Sequence, residues 1–77
     1  MLLGEAIKEM IHQARMTQKK LAAAAGYKTV SSITTPIAKN EIKVNTLVRL
    51  ANAAGYDLVL RKLDNPEEFA PIRIDEN

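Results

Sequence analysis

Thr17-Gln18-Lys19-Lys20-Leu21-Ala22-Ala23-Ala24-Ala25-Gly26-Tyr27-Lys28-Thr29-Val30-Ser31-Ser32-Ile33-Thr34-Thr35 is the stretch on which the fold turns. Thr17 is a good N-cap, its hydroxyl able to accept from a backbone N–H left free in the first helical turn. Strong helix formers come next, and Gly26 supplies the left-handed residue that ends a helix. The pattern predicts a helix of about nine residues. Past the short connection Gly26-Tyr27-Lys28, Thr29 is positioned to cap a further helix through Val30, Ser31, Ser32, Ile33, Thr34 and Thr35. Pro36 disfavours helical geometry in the residue before it, so this helix is expected to stop or distort near Thr35. Two helices joined so tightly need small residues where they touch, and Ala22 and Ala25 supply them. Leu21 and Ile33 would pin the second helix to a core and leave its other faces free. The combination predicts a helix-turn-helix.

Toward the N-terminus, Leu3, Ile7, Met10, Ile11 and Ala14 recur at spacings of three and four. That is the period of an amphipathic helix over residues 2–15. On the other side, Lys39-Asn40-Glu41 reads as a polar loop and Asn45 as the cap of a fourth helix. Leu47, Leu50, Ala51 and Ala54 make that helix's apolar face, and Gly55 ends it. Asp57-Leu58-Val59-Leu60-Arg61-Lys62-Leu63 is rich in β-formers and reads as a strand, Leu58 and Leu60 facing one way and Val59, Arg61 and Leu63 the other. Asn65-Pro66 signals a turn, after which Ala70-Pro71-Ile72-Arg73-Ile74 has the makings of a short second strand. Residues 21–27 and 50–56 nearly match, yet one copy leads into a helix and the other into a strand. Shared capping chemistry accounts for this pair, which falls short of the three units a stacked repeat requires.

Seventy-seven residues make one domain at most. There is no cysteine, and His12 alone cannot form a tetrahedral zinc site, so neither disulfides nor zinc can supplement so small a core. What remains is good helix packing or a partner chain. The 47% apolar content excludes a disordered chain, and no apolar run approaches the ~20 residues needed to span a bilayer. The expectation is a soluble, cytoplasmic protein with no membrane partner. The net charge of +2 is unevenly spread. Residues 10–62 hold nine cations against two anions, a net +7, whereas 63–77 carry −4 and the first nine residues −1. A basic body with an acidic tail suits a polyanion, whose counterions are released on binding, although ordinary surface charge produces such splits too.

Thr17-Gln18-Lys19-Lys20-Leu21-Ala22, Gly26-Tyr27-Lys28, Ser32-Ile33 and Thr46-Leu47-Val48-Arg49-Leu50-Ala51 through Gly55-Tyr56 together resemble the Cro-like phage repressor group, the Xre-type helix-turn-helix regulators. The resemblance runs from about Leu3 to Leu63. It is especially close to short members whose last helix enters a Gly-Tyr-acid-Leu-Val strand, here Gly55-Tyr56-Asp57-Leu58-Val59. It implies an all-α, lambda-repressor-like bundle of four short helices with a C-terminal β-strand. It divides the chain into a DNA-binding domain, residues 1–63, and an acidic tail, residues 64–77. It also implies roles. Gln18, with Lys19 beside it, falls where family members touch a phosphate and buttress the recognition helix. Val30, Ser31 and Thr35 fall at base-reading positions, flanked by Thr29, Ser32 and Thr34. Lys39, Asn40 and Lys43 fall in the loop that grips backbone phosphate, and Lys28 stands at the helix entrance.

Hydroxyls can bond any base edge, and the threonine methyl suits that of thymine. Strong discrimination normally comes from bidentate Arg, Asn or Gln, and residues 29–37 contain none. Pro36 is the second departure from the family pattern. Either the recognition helix is short, or this copy keeps the scaffold for another use.

Enzymatic chemistry finds no support: there is no nucleophile–base pair and no glycine loop for phosphate, and no cofactor is implied. His12 reads as an ordinary helix-surface residue, and Tyr27 and Tyr56 as packing beside their glycine caps. The expected function is a DNA-binding, repressor-like regulator acting on duplex DNA as a homodimer. A lone strand needs its backbone groups satisfied, either by a symmetry mate through Leu58, Val59, Leu60 and Arg61 or by Ile72–Ile74 of the same chain. The alternatives are the antitoxin of a toxin–antitoxin pair, its acidic tail docked on a basic toxin, or a protein-interaction module on the same scaffold.

Overall fold

The computed structural model describes residues 1–65 and 67–76. Among these, four helices precede a small antiparallel sheet: α1 (Leu3–Gln13), α2 (Gln18–Ala24), α3 (Ser31–Lys39), α4 (Val44–Ala53), β1 (Leu58–Leu60) and β2 (Ile72–Ile74). No helix among the described residues is long and apolar enough to cross a membrane.

The four helices end in one way. The chain turns left-handed at Arg15 (φ 57°), Gly26 (φ 88°), Asn40 (φ 57°) and Gly55 (φ 85°). The next residue's N–H then reaches back to a carbonyl five residues earlier: Met16 to Ile11 at 3.1 Å, Tyr27 to Ala22 at 2.9 Å, Glu41 to Pro36 at 3.0 Å and Tyr56 to Ala51 at 2.8 Å. These bonds satisfy helix carbonyls that would otherwise be orphaned. The near-match of residues 21–27 and 50–56 is therefore the same cap used twice.

The core gathers Ile7 and Ile11 from α1, Leu21 and Ala22 from α2, Ile33 and Ile37 from α3 and Leu50 from α4. Val48 and Ala51 are buried as well, and Leu47, Ala25 and Tyr27 pack on this cluster half-buried. Ile33 and Ile37 lie one turn apart, so α3 is fixed along a single stripe.

Three expectations are corrected. Pro36 does not stop α3, which continues to Lys39. The missing N–H forgoes the bond to the carbonyl of Ser32. Burial of Ile33 and Ile37 holds the turns on either side, and the Pro36 carbonyl serves the Asn40 cap. Thr29 does not cap α3: Val30 takes the N-cap place, and the Thr29 hydroxyl lies 3.1 Å from that of Ser31 and 3.2 Å from that of Ser32. Nor does Asn45 cap α4, which starts at Val44 with extended Lys43 ahead of it. Thr17 caps α2 as expected, accepting from the Lys20 N–H at 3.1 Å.

The strand expected over 57–63 is three residues long and pairs within the chain: Leu58 with Ile74, Val59 with Arg73, Leu60 with Ile72. Of the Asn65-Pro66 turn, Asn65 is left-handed (φ 53°), and Pro66 lies outside the described residues. Leu58 and Ile74 rest half-buried near the helices. Leu60 and Ile72, on the same face of the hairpin, are 60% and 64% exposed.

A close approach that the sequence did not disclose joins α1 to α3. The Gly4 N–H donates to the Asn40 carboxamide oxygen at 2.7 Å. A Cβ on Gly4 would stand 2.3 Å from the Ile37 carbonyl oxygen, so only glycine lets the two helix ends meet.

Candidate nucleic-acid interface

Burial of Ile33 and Ile37 decides what α3 shows to solvent. At 100° per residue, Ser31, Thr35 and Lys39 stand opposite that buried stripe, with Ser32 and Ala38 on its shoulders, and all five are exposed. Thr34 is half-buried on the flank, and Val30 is exposed at the entrance. Pro36 lies between stripe and shoulder, half-buried, and does not interrupt the outward face. Lys39 is thus the last residue of this helix, where a loop residue was expected. Ala38 was not foreseen, because the helix was expected to end before it.

Lys39 ends this helix, Lys28 lies in the connection before it, Lys43 lines a groove with Ser32 and Pro36, and Lys19 stands in the first turn of α2. Ion pairs among the described residues join Arg49 to Glu76, Lys62 to Glu68 and Arg73 to Asp75. None of these involves Lys19, Lys28, Lys39 or Lys43, whereas Arg49 of α4 and Lys62 and Arg73 of the hairpin are paired within the chain.

Gln18 is half-buried, and its side-chain oxygen is shielded from solvent without a hydrogen-bond partner among the described residues. Its amide group remains at the edge of α2, beside Lys19. Thr29, Ser31 and Ser32 form a hydroxyl cluster at the entrance to α3, exposed on the side away from the core. Asn40 is oriented by its carboxamide oxygen, which accepts from the Gly4 N–H, and the amide nitrogen is the end that could donate to a phosphate. A shallow groove runs beside α3, lined by Tyr27, Ser32, Pro36, Glu41, Ile42, Lys43 and Thr46. Lys43 marks its positive side, and Glu41 sets a negative charge against it.

Sequence reasoning passed over Arg49. It sits on α4 one turn beyond Thr46, its guanidinium carbon 5.5 Å from the centre of the Tyr27 ring, and its Nε donates to a Glu76 carboxylate oxygen. That bond and the carboxylate's charge push the Arg49 pKa above the ordinary arginine value. The only signal in the sequence was the cation itself, because its partner lies 27 residues away.

The residues expected at a dimer contact lie on the hairpin, away from α3. Leu58 is half-buried, whereas Val59, Leu60 and Arg61 are exposed. Compared with protein-family models, with curated proteins and with solved structures, the chain matches none.

Proposed function

We propose that the chain is a duplex-DNA-binding regulator of the repressor type, with α2 and α3 acting as a helix-turn-helix in a lambda-repressor-like arrangement. The carrying observation is the outward face of α3, fixed by two buried isoleucines and bearing Lys39, with Lys43 on the adjoining groove, both without an ion-pair partner among the described residues. A helix with its side chains is about 10–12 Å across, which fits a major groove about 12 Å wide, and the nine residues of α3 lie along it for about 13 Å. Ser31 and Thr35 offer hydroxyls and a methyl to base edges, and Lys39 adds a donor able to reach guanine O6 and N7. Lys19, Lys28 and Lys43 serve phosphates, and Gln18 buttresses α3. The continuation of α3 through Pro36 supports a longer reading surface than the sequence implied. Discrimination is modest, because the surface carries no Arg, Asn or Gln and Lys39 alone can reach two acceptors of one base, and phosphate contacts carry most of the affinity. Such a protein works in the cytoplasm, on the nucleoid.

Dimerisation through the hairpin completes the reading. One edge of β1 is paired by β2, no strand among the described residues covers the other, and Leu60 and Ile72 are exposed on one face of the pair. A twofold contact there would set two α3 helices about one DNA turn, ~34 Å, apart. The same exposed side chains, with Leu63 and Phe69 at 89% and 61% exposure among Asp64, Glu67 and Glu68, favour a second reading in which the hairpin holds a different protein, such as a toxin. Sedimentation of the purified chain separates the two: a dimer dissociated by Leu60→Asp supports the first, a monomer the second.

The DNA reading is tested by titrating random-sequence duplex at increasing salt. Log affinity is expected to fall linearly with log salt, each neutralised phosphate contributing a slope of about −0.9. Absence of binding at low salt, or a flat salt response, overturns it.

A further inference from the structure

Arg49 carries an anion already, and that anion belongs to the chain itself. Thr46 lines the groove beside α3 together with Ser32, Lys43 and Tyr27, and Arg49 extends the same face of α4 by one turn. The Tyr27 ring backs its guanidinium at 5.5 Å, holding the planar fork at the groove's rim. Pairing of β2 with β1 seats Ile74 opposite Leu58, and two residues later Glu76 meets the Arg49 Nε. Both partners remain accessible, with side-chain exposures of 41% and 32%. Carboxylate and phosphate make the same hydrogen bonds to a guanidinium, so a site that holds one accepts the other.

We propose that Arg49, backed by Tyr27, is a phosphate subsite of the duplex-binding face, and that Glu76 occupies it until DNA phosphate displaces it. The proposal rests on the DNA reading above. It gives the acidic end of the chain a defined task, the reversible masking of one cation. Lys43, Thr46 and Arg49 then form a track along α4 that a DNA strand follows past the end of α3. Partly exposed ion pairs are weak and screened by salt, whereas a duplex presents a dense row of charges, so displacement is favoured whenever the duplex is already held by α3.

The test measures affinity for one random-sequence duplex over a salt series by fluorescence anisotropy. It uses the natural chain, Glu76→Gln, Arg49→Gln, the double variant, and Asp75→Asn as a charge-matched control whose carboxylate pairs with Arg73. Glu76→Gln is expected to tighten binding about twofold to fivefold, the range set by a partly exposed pair. Arg49→Gln is expected to lower the magnitude of the salt slope by about 0.9, one phosphate contact. In the double variant the gain should vanish. If Asp75→Asn matches Glu76→Gln, or the gain persists without Arg49, the effect is net charge alone and the subsite is overturned while the DNA reading stands. If no variant binds duplex at low salt, both fall together.

Discussion

Residues 21–27 and 50–56 differ at one position, Ala23 against Asn52, and they build the same structure. In each the leucine is buried, the glycine turns left-handed near 85–88°, and the tyrosine N–H bonds the alanine five residues before it. The two copies nevertheless lead into opposite kinds of structure. After Tyr27 the apolar residues Ile33 and Ile37 recur at a spacing of four, and the chain becomes α3. After Tyr56 come Leu58, Val59 and Leu60, all β-formers, and the chain becomes β1. A helix end is thus a local event, set in these two copies by a glycine, whereas the next element follows from the residues beyond it: Ile33 and Ile37 bury one helical stripe, and Leu58–Leu60 pair with Ile72–Ile74. The surfaces differ as well: the first copy leads into a helix with a polar outward face that includes Lys39, the second into a hairpin with Leu58 and Ile74 half-buried and Leu60 and Ile72 exposed on the same face.

The largest effect that probes this equivalence is at the two leucines. Both have 0% exposure, so Leu21→Ala and Leu50→Ala are each expected to cost about 2–5 kcal/mol in urea unfolding. A large inequality would show that one copy alone supports the core. Smaller is the effect at the caps. A Cβ at Gly26 or Gly55 would meet nothing within 4 Å, so alanine there adds backbone strain without a clash. Each substitution should lower stability by about 1–2 kcal/mol, and by similar amounts. Thermal melts that separate the two widely would end the equivalence. The smallest effect concerns the tyrosines, where the copies do diverge. The Tyr56 hydroxyl donates to the Gln13 side-chain oxygen at 2.6 Å, tying the second cap to α1. Tyr56→Phe should therefore cost about 0.5–1.5 kcal/mol, and the loss should disappear in a Gln13→Ala background.

Signals confined to a few consecutive residues were legible in the sequence. The Thr17 cap, the glycine ends at Gly26 and Gly55, and the period of α1 all act through neighbours in the chain. The Thr29 and Asn45 caps were misplaced by one or two residues, a local error, and the larger errors arose where distant residues decide. Pro36 looks like a stop, and only the joint burial of Ile33 and Ile37 reveals why α3 passes through it. Asn40 looks like a free loop amide, yet it meets Gly4 across 36 residues. Arg15 ends a helix as the glycines do without a side chain that announces it, whereas Asn40 is a residue type that tolerates the left-handed turn and was read as part of a loop. For the candidate interface, exposure of Ser31 and Thr35 followed from the α3 pattern, whereas Ala38 and Lys39 joined the same face only because the helix is longer than expected. Arg49 was hidden because Glu76 and Tyr27 reach it from opposite directions in the chain.

That the sequel to the first copy meets DNA while the sequel to the second does not is open to one direct measurement. Backbone amide shifts of the labelled protein are tracked by NMR as a short duplex is added at low salt. The perturbations are expected to gather on residues 28–39, on the first turn of α2, and on Lys43, Thr46, Arg49 and the Glu76 it releases, with Leu58–Leu60 and Ile72–Ile74 little changed. Shifts concentrated on the hairpin, with α3 unmoved, would contradict the division of roles.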